Sequence, residues 1–356
     1  MQALEAWIHE RVPLVRVESA QLRYDGMAHQ APTDLPGVYR PYDAERIYDW
    51  VDQIQTLAYL DALGTRGQIL DLGTGDGWPA LPLAPHVREV TGIDLSARRI
   101  ATARENLARF GYGNVRFEVA SGEDLPFPGA SFDAVVVGTA LEQMTRPERA
   151  LAEARRVLIP GGTLVATFEH LAAELPRGAE EEVEFFRRGD AFVYRYTVKE
   201  ASPPREAEYE VLLHAGGPEG ALLEESAASF PVRPGFVREE GEPGARRLEG
   251  AIQERYGLAF LSAVGGAVSS GRSFDLRHVS LAALHNDLAA AGFVDTLARG
   301  RITRIAHPLI LALHEAGALA ALRPRFLPFC EEIARLWPLV APEGDPVLFV
   351  RARRPR

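Results

Sequence analysis

A single cysteine, Cys330, stands in the whole chain, and that scarcity removes several chemistries at once. No disulfide framework can form, and a zinc site built on several thiolates is excluded, so no metal is expected. Cys330 lies in Phe329-Cys330-Glu331-Glu332-Ile333, a helical segment with no base beside it. A small buried apolar side chain is therefore expected there rather than a nucleophile. Long apolar runs are missing too: no stretch approaches the roughly 18 apolar residues that span a bilayer. The opening Met1-Gln2-Ala3-Leu4-Glu5 carries an acid early and lacks a basic start followed by an apolar run. A cytoplasmic protein without a membrane partner is expected. Positive charge is scarce as well, with a net charge of −10 and a pI near 5.5. Nucleic acid is gripped at its phosphates by clustered Lys and Arg, so it is not the expected partner. Arg299, Arg301 and Arg304, and the run Arg351-Ala352-Arg353-Arg354, read as a solvated face and a frayed end. There is no internal repeat and no low-complexity tract.

What is present is an ordinary globular composition, 47% apolar and 25% charged, at a length that suggests about two domains. Residues 1–65 read as a helical lead-in. Leu57, Leu60 and Leu63 close it before a stop at Gly64, and Pro41 in Tyr39-Arg40-Pro41-Tyr42-Asp43 marks a loop. From 68 to 168 short apolar runs alternate with helical periods. The strand candidates are Gln68 to Leu72, Glu89 to Asp94, Val115 to Val119, Phe132 to Val137 and Thr163 to Phe168. Between them, Ser96 can cap a helix carrying Ile100, Ala103, Leu107 and Phe110, with Gly111 just past its end. Pro147 opens another helix, with Leu151, Ala154 and Leu158 on one side, which Pro160-Gly161-Gly162 breaks. The pattern resumes with a helix from Ser280 to Ala291, a strand from Phe293 to Ala298 and a last strand from Pro346 to Arg351. Such alternation predicts right-handed crossovers in a parallel doubly wound sheet, with residues 66–168 and 280–356 forming its domain.

Two segments fall outside that sheet. Residues 169–279 contain two alternating runs, Phe192 to Val198 and Glu208 to Leu213, separated by Pro203-Pro204, which predicts a β-hairpin. The Gly-, Pro- and Glu-rich residues 215–247 read as a loop region. Residues 303–343 are a helical insertion. The 169–279 segment is expected to form a cap that selects the acceptor, and Phe192, Tyr194, Tyr196 and Tyr209 either roof a pocket or pack the hairpin onto its sheet.

The informative stretch is Asp71-Leu72-Gly73-Thr74-Gly75-Asp76-Gly77, lying between a strand and a helix. Glycines there allow a tight turn and let a ligand lie against main-chain amides. Asp94 ends the next strand, where a carboxylate can accept from both hydroxyls of a ribose. A dinucleotide fingerprint would need its third glycine at position 78, which is Trp78, followed by Pro79. The acid at 71 also suits a cationic ligand without a pyrophosphate better than a nicotinamide dinucleotide.

Asp71-x-Gly73-x-Gly75-x-Gly77, with Asp94 ending the neighbouring strand, resembles motifs I and II of the class I S-adenosylmethionine-dependent methyltransferases. Gly122-Glu123-Asp124-Leu125-Pro126-Phe127 and Ser131-Phe132-Asp133 resemble the adenine-holding segment of that family's small-molecule branch. Arg155-Arg156-Val157-Leu158, then Pro160-Gly161-Gly162, resembles its turn before the fifth strand. The resemblance covers about residues 40–168, and resumes at 280–298 and 346–352. It implies an α/β fold with a seven-stranded, mostly parallel sheet whose last strand is antiparallel, and S-adenosylmethionine as cofactor. It also implies that Gly73, Thr74, Gly75 and Gly77 shape the methionine pocket and that Asp71 orients the amino-acid end. Asp94 would hold the ribose and Leu95 pack on the adenine. Ser121, Gly122 and Glu123 would border the purine edge, although the family often has an Asp where this chain has Ser121. Gly138 would lie near the methyl-bearing sulfur. Tyr39, Tyr42 and Trp50 are expected to close over the methionine end. Candidate general bases, should the acceptor need to lose a proton, are Glu142 and His170, and each has a plain alternative as a loop residue. Methyl transfer to a small molecule is the leading expectation. The alternatives are an RNA or protein methyltransferase, and a relative that binds the cofactor without turnover.

Overall fold

A computed structural model describes residues 2–17, 43–169, 171–172, 175–202, 204–230, 244–247, 255–342 and 348–356. In chain order the first elements are α1 (Ala3–Arg11), β1 (Leu14–Arg16), α2 (Ile47–Leu63), β2 (Gln68–Leu72), α3 (Ala80–Leu83), β3 (Glu89–Asp94) and α4 (Ala97–Phe110). Then come β4 (Val115–Val119), β5 (Phe132–Gly138), α5 (Pro147–Val157) and β6 (Leu158–Phe168). An antiparallel stretch follows: β7 (Glu180–Arg188), β8 (Ala191–Ala201) and β9 (Pro204–His214), with α6 (Gly220–Ser229), β10 (Gly244–Arg247), α7 (Leu258–Ala263) and β11 (Val268–Leu276) after them. The chain closes with α8 (Leu281–Ala290), β12 (Val294–Gly300), α9 (Thr303–Glu315), α10 (Phe326–Ala334) and β13 (Leu348–Arg353). These elements divide into two compact units, one of Met1–Leu22 with Ala172–His278, the other of Arg23–Leu171 with Val279–Arg356.

The second of these units holds a seven-stranded sheet in the order β12-β13-β6-β5-β2-β3-β4. β3 and β4 run parallel on one side of β2, β5 and β6 parallel on the other, and β13 is antiparallel to both its neighbours. Both faces are covered, which is why Ala134 to Val137 of β5 read as an unbroken apolar run. Its side chains alternate all the same. Val135 and Val137 join Leu70, Leu72, Leu151 and Leu284 in one core, and Val136 joins Trp50, Ile54, Val165 and Ile310 in the other. Ser96 caps α4 by accepting from the Arg99 amide, and Ser280 caps α8 through the Ala283 amide. The fifth strand begins earlier than the glycine pair suggests: α5 stops at Val157, and Pro160-Gly161-Gly162 lies within β6. Because the chain goes out one way from β2 and returns on its other side at β5, the carboxyl ends of these two strands flank a crevice of the kind where ligands bind.

Of the expected 303–343 helical insertion, α9 and α10 belong to this core, packed against α2. Trp50 corrects an expectation here. It is fully buried, edge-on to Phe326 and Phe329, with its indole N–H given to the Ala44 carbonyl at 3.0 Å, so it is a packing residue and not a gate. Cys330 is fully buried in the same cluster, and burial, with a smaller contribution from Glu331, pushes its thiol up to about 12. A bulky thiol reagent is therefore expected to leave the native protein unmodified and to titrate one thiol only after denaturation. Rapid labelling of the native protein would contradict this packing.

The other unit is built on a six-stranded sheet ordered β1-β11-β9-β8-β7-β10, antiparallel throughout except for the β1–β11 pair. The expected hairpin is β8–β9, with Tyr196 opposite Tyr209. Its aromatics do not roof a pocket: Phe192, Tyr194, Tyr196 and Tyr209 are buried with Phe185, Tyr256 and Phe260 beneath Leu4 and Ile8 of α1. Within the expected 215–247 loop, Gly220–Ser229 is a helix, and residues 231–243 lie outside the described residues.

The chain's opening also differs from a lead-in to the large sheet. α1 and β1 complete the smaller unit, β1 by pairing with β11. Glu5, fully buried on α1, receives both guanidinium nitrogens of Arg205 at 2.7 and 2.9 Å and the Tyr209 hydroxyl at 2.7 Å. Burial alone would raise this carboxyl, but the Arg205 and Tyr209 bonds outweigh it and hold it below the ordinary range. Arg205→Ala would strand a buried carboxylate, at a cost of about 3 kcal/mol. The expected result is a lower denaturation midpoint for this unit, and an unchanged midpoint would show that α1 is held by its apolar face alone.

Candidate functional site

The glycine turn after β2 is stitched to the tip of β3. The amides of Gly73 and Thr74 both donate to the Ile93 carbonyl at 2.8 Å, and those of Gly77 and Trp78 close the turn on the Thr74 carbonyl at 2.9 and 3.0 Å. Gly73 has φ +73, and a Cβ built there would lie 2.4 Å from the Cβ of Ala140. Only glycine meets both the left-handed backbone and that close approach.

Asp94 is the hub. Its Oδ2 accepts from the Gly75 amide at 3.0 Å and its Oδ1 from the Ser96 amide at 2.9 Å. A carboxylate oxygen carries two lone pairs, the acceptor chemistry that a ribose diol requires. Beneath the turn, Arg99 of α4 pairs with Asp76 at 2.9 Å, and the Asn106 amide group donates to the Asp76 carbonyl at 3.0 Å. Burial raises the Asp76 carboxyl above its ordinary value, against the pull of Arg99.

Asp71 is fully buried at the end of β2. Its Oδ2 accepts from the Thr74 hydroxyl at 2.7 Å and the Ala80 amide at 3.1 Å, while Oδ1 has no hydrogen-bond partner. Burial pushes this carboxyl up to about 8. The two hydrogen bonds pull the other way, and the charge of Asp94 adds to the rise. The Thr74 side chain thus faces inward to Asp71. An orphaned carboxyl oxygen under a glycine turn, beside a ribose-type acid, is a donor set that fits S-adenosylmethionine, whose ammonium and sulfonium are positive.

Across the crevice, β5 ends at Gly138, and Thr139 turns with φ +50, a strained angle for a β-branched residue. That turn is held by the Thr139 amide on the Thr167 carbonyl at 3.0 Å and by the Gln143 side-chain amide on the Thr139 carbonyl at 2.6 Å. Glu142 is buried and its Oε1 accepts from the Glu169 amide at 3.0 Å, tying the loop after β5 to the end of β6. Glu123 is likewise occupied, by the backbone amide and Nε of Arg146 at 2.6 and 2.8 Å, and so anchors the start of α5. Ser121 accepts from the Glu123 amide at 3.2 Å, and Leu95 and Gly122 are half-buried. Met144 closes on Gly122, where a Cβ would lie 2.9 Å from its Cε and 3.1 Å from Cδ2 of Leu72. His170, Tyr39 and Tyr42 lie outside the described residues.

Residues 70–166 match the family described as "Methyltransferase domain". A phosphatidylethanolamine N-methyltransferase of Cereibacter sphaeroides is 32% identical over 157 residues, 42% of this chain and 76% of that protein. The chain belongs to the class I S-adenosylmethionine-dependent methyltransferases. This methyltransferase is also 30% identical over 219 residues to a 27-O-demethylrifamycin SV methyltransferase of Amycolatopsis mediterranei, a span of 61% of the chain and 74% of that protein. It spans less than half the length of other curated relatives, including a demethylmenaquinone methyltransferase of Tropheryma whipplei at 42%. Among solved structures, the [4+2]-cyclase SpnF aligns over 97% of this chain and 98% of its own, at 20% identity and a TM-score of 0.46.

The methyltransferase site contains residues that motif reading passes over. Arg99, Arg146, Met144 and Glu169 act through contacts made only when distant turns meet, and no spacing rule marks them. Asp94 carries the sharpest expectation. Losing two hydrogen bonds to a charged acceptor costs about 1.5–3 kcal/mol each, so Asp94→Ala should weaken S-adenosylmethionine binding roughly 100-fold or more by calorimetry. A loss below tenfold would count against Asp94 as the ribose ligand.

Proposed function

We propose that this methyltransferase acts on a small-molecule acceptor. The observation that carries the reading is the reach of its likeness to the rifamycin-type enzyme, 219 residues, well beyond the domain match at 70–166. The name of the phosphatidylethanolamine enzyme supports it as well.

Bound in this site, the cofactor offers a methyl group on sulfonium sulfur for in-line displacement, leaving a neutral thioether. The chain's part is alignment and exclusion of water, and well-oriented reactants can save about 7–11 kcal/mol of barrier. Asp94 fixes the adenosine half, and the Gly73–Gly77 turn with Asp71 fixes the methionine half. Gly138 and the held Thr139 corner border the reacting end, where a Cβ at 138 would meet nothing closer than the Pro79 ring at 3.7 Å. That open space is suited to the approach of an acceptor. In this reading Glu142 holds the corner through Glu169, and His170 remains the candidate for accepting a proton from an acceptor that must lose one.

The test is formation of S-adenosylhomocysteine when the enzyme is incubated with S-adenosylmethionine and, in separate arms, an aminoalcohol-lipid set, a quinol set, a polyketide phenol set, tRNA and a peptide library. Turnover confined to one of the small-molecule arms is expected. Turnover only with tRNA or peptides would overturn the proposal.

A further inference from the structure

The surroundings of Asp71 are laid out for a neutral carboxyl. The group is fully buried. Both of its donors, Thr74 and Ala80, converge on Oδ2, and Oδ1 has none. Among the described residues no Lys, Arg or His is bonded to it, and the charge that faces it from β3 is another carboxylate, Asp94. From α2 comes Tyr59, fully buried, un-ionised and bonded to the Thr167 hydroxyl at 3.2 Å, with Arg301 and Glu169 acting on that phenol. An ionised Asp71 would be desolvated and repelled by Asp94, and a proton on Oδ1, the oxygen that accepts no bond, removes the charge on which both depend.

We propose that Asp71 carries a proton on Oδ1 in the cofactor-free enzyme and releases it when S-adenosylmethionine enters, so that binding exchanges a proton for the positive charge of the cofactor. The O–H bond breaks, its electron pair stays on Oδ1, and the proton leaves to the buffer. The positive charge brought in by the cofactor then favours the ionised form. Thr74 belongs to the glycine turn itself, so ionising Asp71 turns the Thr74 bond into a charge-assisted one and tightens the turn as the site fills. Burial, opposed by the Thr74 and Ala80 bonds and reinforced by Asp94, pushes the free carboxyl up to about 8. Below that pH the acid must lose its proton for binding. Affinity should therefore rise about tenfold per unit between pH 6 and 7 and level off above 8.

The inference rests on S-adenosylmethionine being the cofactor, and the experiment separates the two. Titration calorimetry with S-adenosylmethionine at pH 7, in phosphate and in Tris, reads the proton count from the difference in heat. The wild type is expected to release roughly one proton per cofactor bound. Asp71→Asn, which copies the shape of the protonated group, should bind more weakly, release none and show affinity flat with pH. A buffer-independent heat in the wild type, or the same proton count in the variant, would overturn the proposal. Should the variant not fold, infrared difference spectra of the wild type decide: a protonated-carboxyl band lost on binding supports the exchange, and no such change refutes it. No binding at all would remove the cofactor assignment together with the exchange.

Discussion

One carboxylate receives a backbone N–H from each side, and the rest of the site is built around that clasp. Asp94 takes the Gly75 amide from the turn after β2 and the Ser96 amide from the start of α4. These bonds bring the glycine turn and the helix cap to the tip of one strand. They leave Arg99, one turn into α4, within reach of Asp76 under the loop. The acid proposed to hold the ribose is thus also a backbone staple. The ligand site is formed by the hydrogen bonds that close the fold, and needs little separate construction.

The part of the fold that sequence made visible is the part governed by local rules. Apolar runs at the period of buried parallel strands, a Ser cap with a Gly stop and the spaced glycines 73, 75 and 77 all follow from the chemistry of neighbours along the chain. The placement of the candidate site residues was legible only in part. Asp71, Asp94 and the glycines meet in one crevice, whereas Glu123 and Glu142 proved to be committed to Arg146 and Glu169. A carboxylate's position on the correct edge of a sheet says nothing of which amide it has captured. That depends on where another loop comes to rest.

The smaller unit was much less legible, for reasons that its own strands supply. β7 reads Glu-Glu-Glu-Val-Glu-Phe-Phe-Arg-Arg, and its charges hide the two-residue period because the face away from the aromatic core is itself polar. Across that face Glu184, Arg195, Glu210 and Arg272 stand opposite one another on four adjacent strands. Arg195 is paired with both Glu184 and Glu210. A polar face satisfied by cross-strand pairs needs no apolar alternation, so hydropathy alone cannot find it. The role of α1 was hidden for a different reason: the side chains that pair with Glu5, Arg205 and Tyr209, lie some two hundred residues along the chain.

The pairing of β1 with β11 has a bearing on how the protein is made. On the ribosome, the first strand leaves the exit tunnel early and must wait, unpaired, until residues 268–276 emerge. Meanwhile β2 to β6 of the large sheet are already available to associate. Translation therefore favours assembly of the large sheet's central strands first, with the outermost layer of the smaller unit, β1 together with α1, added as a late step. The free edge of that early strand is short, three residues, which limits its chance of joining a foreign sheet during the wait.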